Sequence, residues 1–121
     1  MLFRSDNEDG RESLRMLLES EGHEVCVAEN AEEALESVTM QRPEVALIDI
    51  GLPGRDGYEI ARAIRSGADG ARMKLIALTG YGQAEDQRKA AEAGFDRHLT
   101  KPVSPDLLFE VVAAVVLELE R

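Results

Sequence analysis

The chain has 121 residues, of which 44% are apolar and 31% are charged, and its formal net charge is −10. This size and composition predict one globular domain spanning residues 1–121. The excess of acidic residues argues against direct binding to nucleic acid, whose phosphates would repel it. No apolar run approaches the roughly 20 residues that span a bilayer, and no signal peptide opens the chain, so we expect a cytoplasmic protein with no membrane partner. Because Cys26 is the single cysteine of the sequence, an internal disulfide is excluded.

Strand and helix signals alternate along the chain. Short apolar runs mark the strands, and apolar residues that recur every three or four positions mark the helices. Gly22 and Gly94 are expected to end the first and fourth helices. The predicted elements are, in chain order, a strand over 2–6, a helix over 8–21, a strand over 23–28, a helix capped by Asn30 and closed by Pro43, a strand over 45–49, a helix around 58–64, a strand over 74–79, a helix over 83–93, a strand over 95–100, and a helix from Pro105 to the end of the chain.

The stretch at the centre of the chain is Val45–Asp49, an apolar run that ends in a carboxylate. A run of this kind, between Pro43 and a loop rich in glycine and proline, is typical of a strand buried on both faces of a parallel sheet. Asp49 then lies at the carboxyl end of the strand, where ligands bind in open α/β sheets. The alternative is that Asp49 caps a turn, since aspartate is common where a strand gives way to a loop.

Strands that alternate with helices favour right-handed crossovers and a parallel sheet covered on both faces. In such a sheet the carboxyl ends of the first, third, fourth and fifth strands face one crevice. Those ends carry Asp6, Asp49, Thr79 and Lys101. Turn chemistry alone does not explain four polar side chains of complementary type at one edge of an apolar sheet, so we predict a functional site there.

The chemistry of this set favours a metal ion and a phosphoryl group. Two neighbouring carboxylates repel each other unless they share a proton or bind a cation, and magnesium prefers oxygen ligands and often takes phosphate oxygens as well. Thr79 supplies a hydroxyl donor and Lys101 a compact positive charge, both suited to a phosphoryl group. His23 and His98 are interpreted as packed side chains rather than catalysts. A nucleophilic carboxylate beside a metal supports formation of an aspartyl phosphate.

Four motifs at these strand ends resemble the signature of response regulator receiver domains, in that family's order and over essentially the whole chain. They are Ser5-Asp6-Asn7, Leu47-Ile48-Asp49-Ile50-Gly51-Leu52-Pro53-Gly54-Arg55-Asp56-Gly57, Thr79-Gly80 and Lys101-Pro102. The resemblance implies an α/β, flavodoxin-like (βα)5 fold, with a doubly wound parallel sheet of five strands in the order 2-1-3-4-5. It also implies a signalling domain of a two-component system or phosphorelay, without enzymatic activity beyond its own phosphotransfer and dephosphorylation.

By the same resemblance, Asp49 accepts a phosphoryl group from a histidine kinase or a histidine phosphotransfer protein. Magnesium is the implied cofactor, held by Asp6, Asp49 and the backbone carbonyl of Gly51. Thr79 and Lys101 are the implied contacts of the phosphoryl oxygens. The peptide bond that follows Lys101 is expected to be cis, a form that proline makes accessible.

Three residues depart from the family's usual pattern. Ser5 stands where the family has a second acid beside Asp6, so we expect weaker binding of magnesium. Arg4 interrupts a first strand that is usually an unbroken aliphatic run. His98 stands where the family often has a switching tyrosine or phenylalanine, and we expect this ring to retain the conformational coupling to Thr79.

Three interpretations of the chain's role remain open. It is the receiver of a hybrid sensor histidine kinase, a stand-alone phosphorelay receiver, or a small phosphatase of similar fold with an aspartyl nucleophile. The phosphatase is disfavoured because such enzymes usually place a second aspartate two residues after the nucleophile, where this chain has Gly51. The sequence does not identify the kinase, the stimulus or the output.

The last predicted helix carries more apolar residues than one sheet-facing stripe requires. Its excess consists of Phe109, Val116 and Leu117. An exposed apolar patch marks an interface. In receiver domains the surface of the fourth helix, fifth strand and fifth helix commonly supports pairing or docking, and the excess resembles that surface. We therefore expect these residues to contact a second copy, as a homodimer through the last helix, or a neighbouring domain.

Overall fold

The computed structural model describes residues 1–4, 8–50, 56–67, 72–80 and 84–119. Strands and helices alternate along this part of the chain, as the sequence predicts. The elements are β1 (Leu2–Arg4), α1 (Glu8–Ser20), β2 (Cys26–Ala28), α2 (Ala31–Gln41), β3 (Val45–Asp49), α3 (Asp56–Ser66), β4 (Lys74–Thr79), α4 (Ala84–Ala93), β5 (Arg97–Thr100) and α5 (Pro105–Leu119).

The strands form one parallel sheet in the order β2-β1-β3-β4-β5, which confirms the predicted flavodoxin-like topology. β3 lies at the centre of the sheet. In the register of the ladder, Asp49 lies opposite Leu78, and Thr79 lies opposite Thr100. The carboxyl ends of β3, β4 and β5 therefore meet at one edge, where the sequence predicts the site.

Two apolar cores lie on opposite faces of the sheet, because successive side chains of a strand point to opposite faces. Within β3, Ala46 and Ile48 pack into the core beneath α2, α3 and α4, whereas Val45 and Leu47 pack into the core beneath α1 and α5. All five residues of β3 are buried, which confirms the prediction of a strand covered on both faces. None of the helices described is both long enough and apolar enough to cross a bilayer.

The helix boundaries follow the predicted capping signals. The Asn30 side chain accepts a hydrogen bond from the backbone N–H of Glu33 at 2.9 Å, which satisfies a free donor in the first turn of α2. α2 ends at Gln41, and its C-cap Arg42 has a left-handed φ of 48°, because the following Pro43 disfavours a helical conformation there. Gly22 (φ 89°) is also left-handed and follows the end of α1 as predicted.

Two strands are shorter than the sequence predicts. β5 begins at Arg97 rather than at residue 95 because the N–H groups of Gly94 and Phe95 both donate to the carbonyl of Ala90, which completes the end of α4. Gly94 has a φ of 112°, so it ends α4 as predicted. β2 begins at Cys26, whose N–H donates to the Met1 carbonyl at 2.8 Å. The predicted extension of β1 to residue 6 lies outside the described residues.

Arg65 of α3 forms hydrogen bonds to two other segments of the chain at the edge of the sheet where the strands begin. Its guanidinium donates to the carbonyl of Met73 at 2.6 Å and to that of Gly94 at 2.9 and 2.7 Å. It also pairs with the Asp96 carboxylate at 2.7 Å, and the same oxygen accepts the Leu75 N–H at 2.8 Å. This cluster fastens the end of α3 to the start of β4 and to the α4–β5 connection.

Candidate functional site

The backbone ladder extends past the strand ends at the predicted site. The N–H of Ile50 donates to the carbonyl of Leu78 at 2.9 Å, just after the last residue of β3. The N–H of Lys101 donates to the carbonyl of Thr79 at 2.8 Å, just after the last residue of β5. These bonds hold Asp49, Thr79 and Lys101 on three adjacent segments of backbone.

The carboxylate of Asp49 is buried and paired with a cation. Asp49 is 2% exposed, and its Oδ2 accepts a hydrogen bond from the ammonium Nζ of Lys101. The Lys101 side chain is 33% exposed, so the cation retains contact with solvent while the carboxylate does not. A buried carboxylate is costly unless it is paired, and Lys101 supplies that compensation. The peptide bond between Lys101 and Pro102 is cis, as expected.

The hydroxyl of Thr79 lacks a hydrogen-bond partner among the described residues, although the residue is only 2% exposed. A buried hydroxyl in this condition carries a desolvation penalty of roughly 1–3 kcal/mol. A native protein keeps such a group where a ligand or water supplies the partner. Among the described residues nothing occupies the hydroxyl, which lies at the edge that Asp49 and Lys101 also occupy.

Two of the three predicted magnesium ligands, Asp6 and Gly51, lie outside the described residues, as does Ser5. Asp49 supplies the remaining predicted ligand, a hard carboxylate oxygen of the kind that magnesium prefers. Within the described part of the chain, no group of three or more histidine, cysteine, aspartate or glutamate side chains is placed to hold a metal ion. The described donor is compatible with magnesium but does not by itself form a complete site.

His98 is exposed on β5, where it lies opposite Ala77 in the ladder. Its neighbour Leu99 is buried in the core beneath α1 and α5. The His98 side chain therefore projects from the opposite face of the sheet. The interpretation of His98 as a packed side chain is therefore wrong. His23 is half-buried after α1. The switching role of His98 with Thr79 stays a prediction.

Gly57 packs against the backbone beside Asp49, a contact that the sequence did not indicate. A Cβ atom on Gly57 would lie 2.6 Å from Cγ2 of Ile50 and 3.1 Å from the carbonyl oxygen of Asp49. The first turn of α3 therefore packs directly against the backbone that carries the Asp49 side chain. The local pattern did not indicate this contact, because the predicted helix begins around residue 58 and a glycine just before a helix is typical of a turn.

Comparisons with known proteins point to one family. The sequence profile of the family described as "Response regulator receiver domain" matches residues 3–113. An uncharacterized 14.6 kDa protein of Leptolyngbya boryana is 39% identical over 93% of this chain and 86% of its own length. The chemotaxis protein CheY of Halobacterium salinarum is 34% identical over 96% of this chain and 95% of its own length.

A solved structure shows the same fold. The CheY-like receiver domain protein of Methanospirillum hungatei matches with a TM-score of 0.87 and 34% identity, covering 98% of this chain and 94% of that one. Other relatives are longer proteins: the chain spans about half the length of three transcriptional regulatory proteins and 12% of a sensor histidine kinase of Pseudomonas protegens. The family match covers most of the chain, and the observed strand order is the one that the family predicts. This chain therefore belongs to the response regulator receiver domain family.

Proposed function

We propose that the chain is a phosphoacceptor receiver domain in which Asp49 takes a phosphoryl group from the phosphohistidine of a histidine kinase or phosphotransfer protein. The observation that carries the proposal is the meeting of three groups at one sheet edge. These groups are the buried Asp49 carboxylate, the Lys101 ammonium bonded to it, and the buried Thr79 hydroxyl that has no partner among the described residues. Together they supply a nucleophile, a positive charge and a hydrogen-bond donor.

In the transfer step, an oxygen of Asp49 attacks phosphorus, a P–O bond forms, and the P–N bond to the donor imidazole breaks. The electron pair of that bond leaves with the imidazole nitrogen, and Asp49 becomes an acyl phosphate. Lys101 stabilises the negative charge on the phosphoryl oxygens, and Thr79 donates a hydrogen bond to one of them. Positioning and charge stabilisation of this kind supply most of the catalysis in phosphoryl transfer.

Magnesium is the proposed cofactor. Asp6, Asp49 and the carbonyl of Gly51 would hold it, as the family resemblance implies, and Asp49 is the member of this set that the structure describes. When bound, the ion neutralises charge on the carboxylates and the phosphoryl oxygens. Ser5 supplies no second negative charge beside Asp6, so we propose that binding is weaker than in receivers with an acidic pair.

The proposed role is signalling rather than turnover of an external substrate. A phosphatase with an aspartyl nucleophile would need an acid–base residue near position 51, which is a glycine. The chain matches about half of a transcriptional regulatory protein, 12% of a sensor histidine kinase and 95% of a chemotaxis protein, so the proposal covers both a stand-alone receiver and the receiver of a hybrid kinase. Phosphorylation would change the surface that includes His98, and α5 would carry contacts to a neighbouring domain or partner.

Labelling with acetyl phosphate in the presence of magnesium tests the acceptor. Intact-protein mass spectrometry should show the gain of one phosphoryl group in the wild type and none in Asp49→Asn. Asp56→Asn is the matched control, since it removes another carboxylate of the same segment and should leave labelling unchanged. Labelling that persists in Asp49→Asn, in a protein with native circular dichroism, would refute the assignment.

A further inference from the structure

α5 carries more apolar surface than the sheet covers. Three residues of α5 are buried against the sheet, as expected for one stripe of an amphipathic helix: Leu108, Val112 and Val115. Leu107 and Leu117, in contrast, are 46% and 54% exposed. The half-buried remainder of the helix includes Phe109 and Val116.

Part of this surface lines a groove between α5 and the turn that follows α1, which we call the α1–α5 groove. Its volume is about 330 Å³. This volume is at the low end of the roughly 300–1,000 Å³ found for ligand pockets, so the groove suits a few side chains rather than a whole cofactor. The lining residues are Glu21, His23, Phe109, Ala113, Val116 and Leu117.

The α1–α5 groove lies at the edge of the sheet opposite Asp49. Glu118, which follows the groove residues on α5, forms ion pairs with the first residues of two strands. These are Lys74 of β4, at 3.3 Å, and Arg97 of β5. The turn on the other side leads into β2, and the N–H of His23 donates to the carbonyl of Leu18 at 3.3 Å, which holds the turn against α1. A partner bound in the groove would leave the phosphoacceptor edge open.

Among the described residues, the charges around the groove that form no ion pair are acidic. Glu21 lines it, and the outward stripe of α5, at a spacing of four, three and four residues, is Asp106, Glu110, Ala113 and Leu117. The three acids in this set are exposed, and none forms an ion pair with a described residue. Among the α1 side chains that the structure describes, the cationic one is Arg15, and it pairs with Glu12 at 2.6 Å and with Glu19 at 3.2 Å.

We propose that the α1–α5 groove binds an amphipathic helix of a partner, with apolar residues in the groove and lysine or arginine residues facing Glu21 and Glu110. Helices commonly bind apolar grooves through residues spaced by three and four, and complementary charge selects the partner. A second copy fits poorly, because it would bring the same acids and a further net charge of −10 against them. The proposal does not depend on phosphorylation of Asp49, since the groove lies at the opposite edge.

Fluorescence anisotropy with a labelled peptide of about 18 leucines and lysines, patterned as five turns of an amphipathic helix, tests the groove. Leu117→Gln and Ala113→Gln should each weaken binding about tenfold, because one removes an apolar contact and the other fills the groove. Leu107→Gln is the matched control, since it makes the same change at an equally exposed leucine on another flank of α5. It should leave affinity unchanged.

Charge is tested by Glu21→Gln against Glu36→Gln, an exposed acid on α2 at the other face of the sheet. Only Glu21→Gln should weaken peptide binding, and a matched leucine–glutamate peptide should not bind. Equal losses from Leu107→Gln or Glu36→Gln would show nonspecific attraction and overturn the proposal, as would failure of the wild type to bind the lysine peptide. A dimer in sedimentation that Leu117→Gln dissociates would assign the groove to a second copy instead.

Discussion

The ammonium of Lys101 donates a hydrogen bond to the carboxylate of Asp49, although 52 positions separate the two residues in the chain. The contact exists because β3 and β5 flank β4 in a parallel sheet and end at the same edge. This hydrogen bond offsets the cost of burying the Asp49 carboxylate, since Asp49 is only 2% exposed. If Asp49 accepts a phosphoryl group as proposed, the same cation would lie beside the charge on that group.

Replacing Lys101 by methionine should destabilise the fold, because Asp49 then stays buried without its lysine partner. Losing one member of a fully buried pair costs about 3–5 kcal/mol, and we expect about 1–3 kcal/mol because Lys101 is a third exposed. Urea unfolding of the wild type, Lys101→Met, Asp49→Asn and the double variant measures the coupling. In the double variant most of the loss should disappear, and additive changes would contradict the ion pair's structural importance.

Thr79→Val should separate stability from function. The hydroxyl has no partner among the described residues, so removing it should leave the free energy of unfolding unchanged or raise it by up to about 1 kcal/mol. Labelling by acetyl phosphate should slow about tenfold, because one donor to the phosphoryl oxygens is lost. Thr79→Ser, which keeps the hydroxyl, should retain the rate. A marked loss of stability in Thr79→Val would mean that the hydroxyl is bonded within the fold.

Gly57→Ala should impair the site as well as the fold. The added methyl group meets Ile50 and the carbonyl of Asp49, so α3 or the end of β3 must move. Overpacking of this kind costs typically about 1–3 kcal/mol, and the displaced Asp49 should accept phosphate more slowly. Time courses of acetyl phosphate labelling, quenched at intervals, measure the loss of phosphorylation rate, and thermal unfolding measures the loss of stability.

Gly94→Ala is the matched control for Gly57→Ala. Gly94 has a φ of 112°, and a Cβ there would lie 2.7 Å from Cγ of Arg65, so a comparable loss of stability is expected at the opposite edge. The labelling rate of Gly94→Ala should match that of the wild type when both proteins are measured under conditions in which they are folded to the same extent. If both glycine variants slow labelling to the same extent, Gly57 acts only through stability.

Magnesium binding should respond to the acid missing beside Asp6. Ser5→Asp adds a carboxylate near the proposed ion and should tighten binding, because affinity for hard cations rises with the charge of the ligand set. Asp6→Ala removes a proposed direct ligand and should weaken binding far more than any change at Ser5. Isothermal titration with magnesium chloride distinguishes the cases, and equal affinities in Ser5→Asp and wild type would show that this side chain does not sense the ion.

The sequence by itself determined the order of the elements, the parallel sheet, and the position of Asp49, Thr79 and Lys101 at the ends of three strands. These features follow from local signals, since a buried strand requires an apolar run and a helix a repeat of three and four. β3 and β4 match the predicted bounds because both are buried apolar runs that end in a polar side chain. Asn30 and Gly94 mark helix ends for equally local reasons.

Only the tertiary structure decided the contacts that depend on how distant segments meet. The start of β5 was misplaced because the backbone of Phe95 bonds to Ala90 at the end of α4 rather than to the sheet. The packing of Gly57 against Asp49 has no local pattern, because it depends on the approach of α3 to β3. The apolar excess of α5 was visible in the sequence, but the surface of the folded domain on which it lies was not. Phe109 and Val116 line a groove beside the α1–β2 turn, because the rotation of a helix about its axis is set by which stripe the sheet buries.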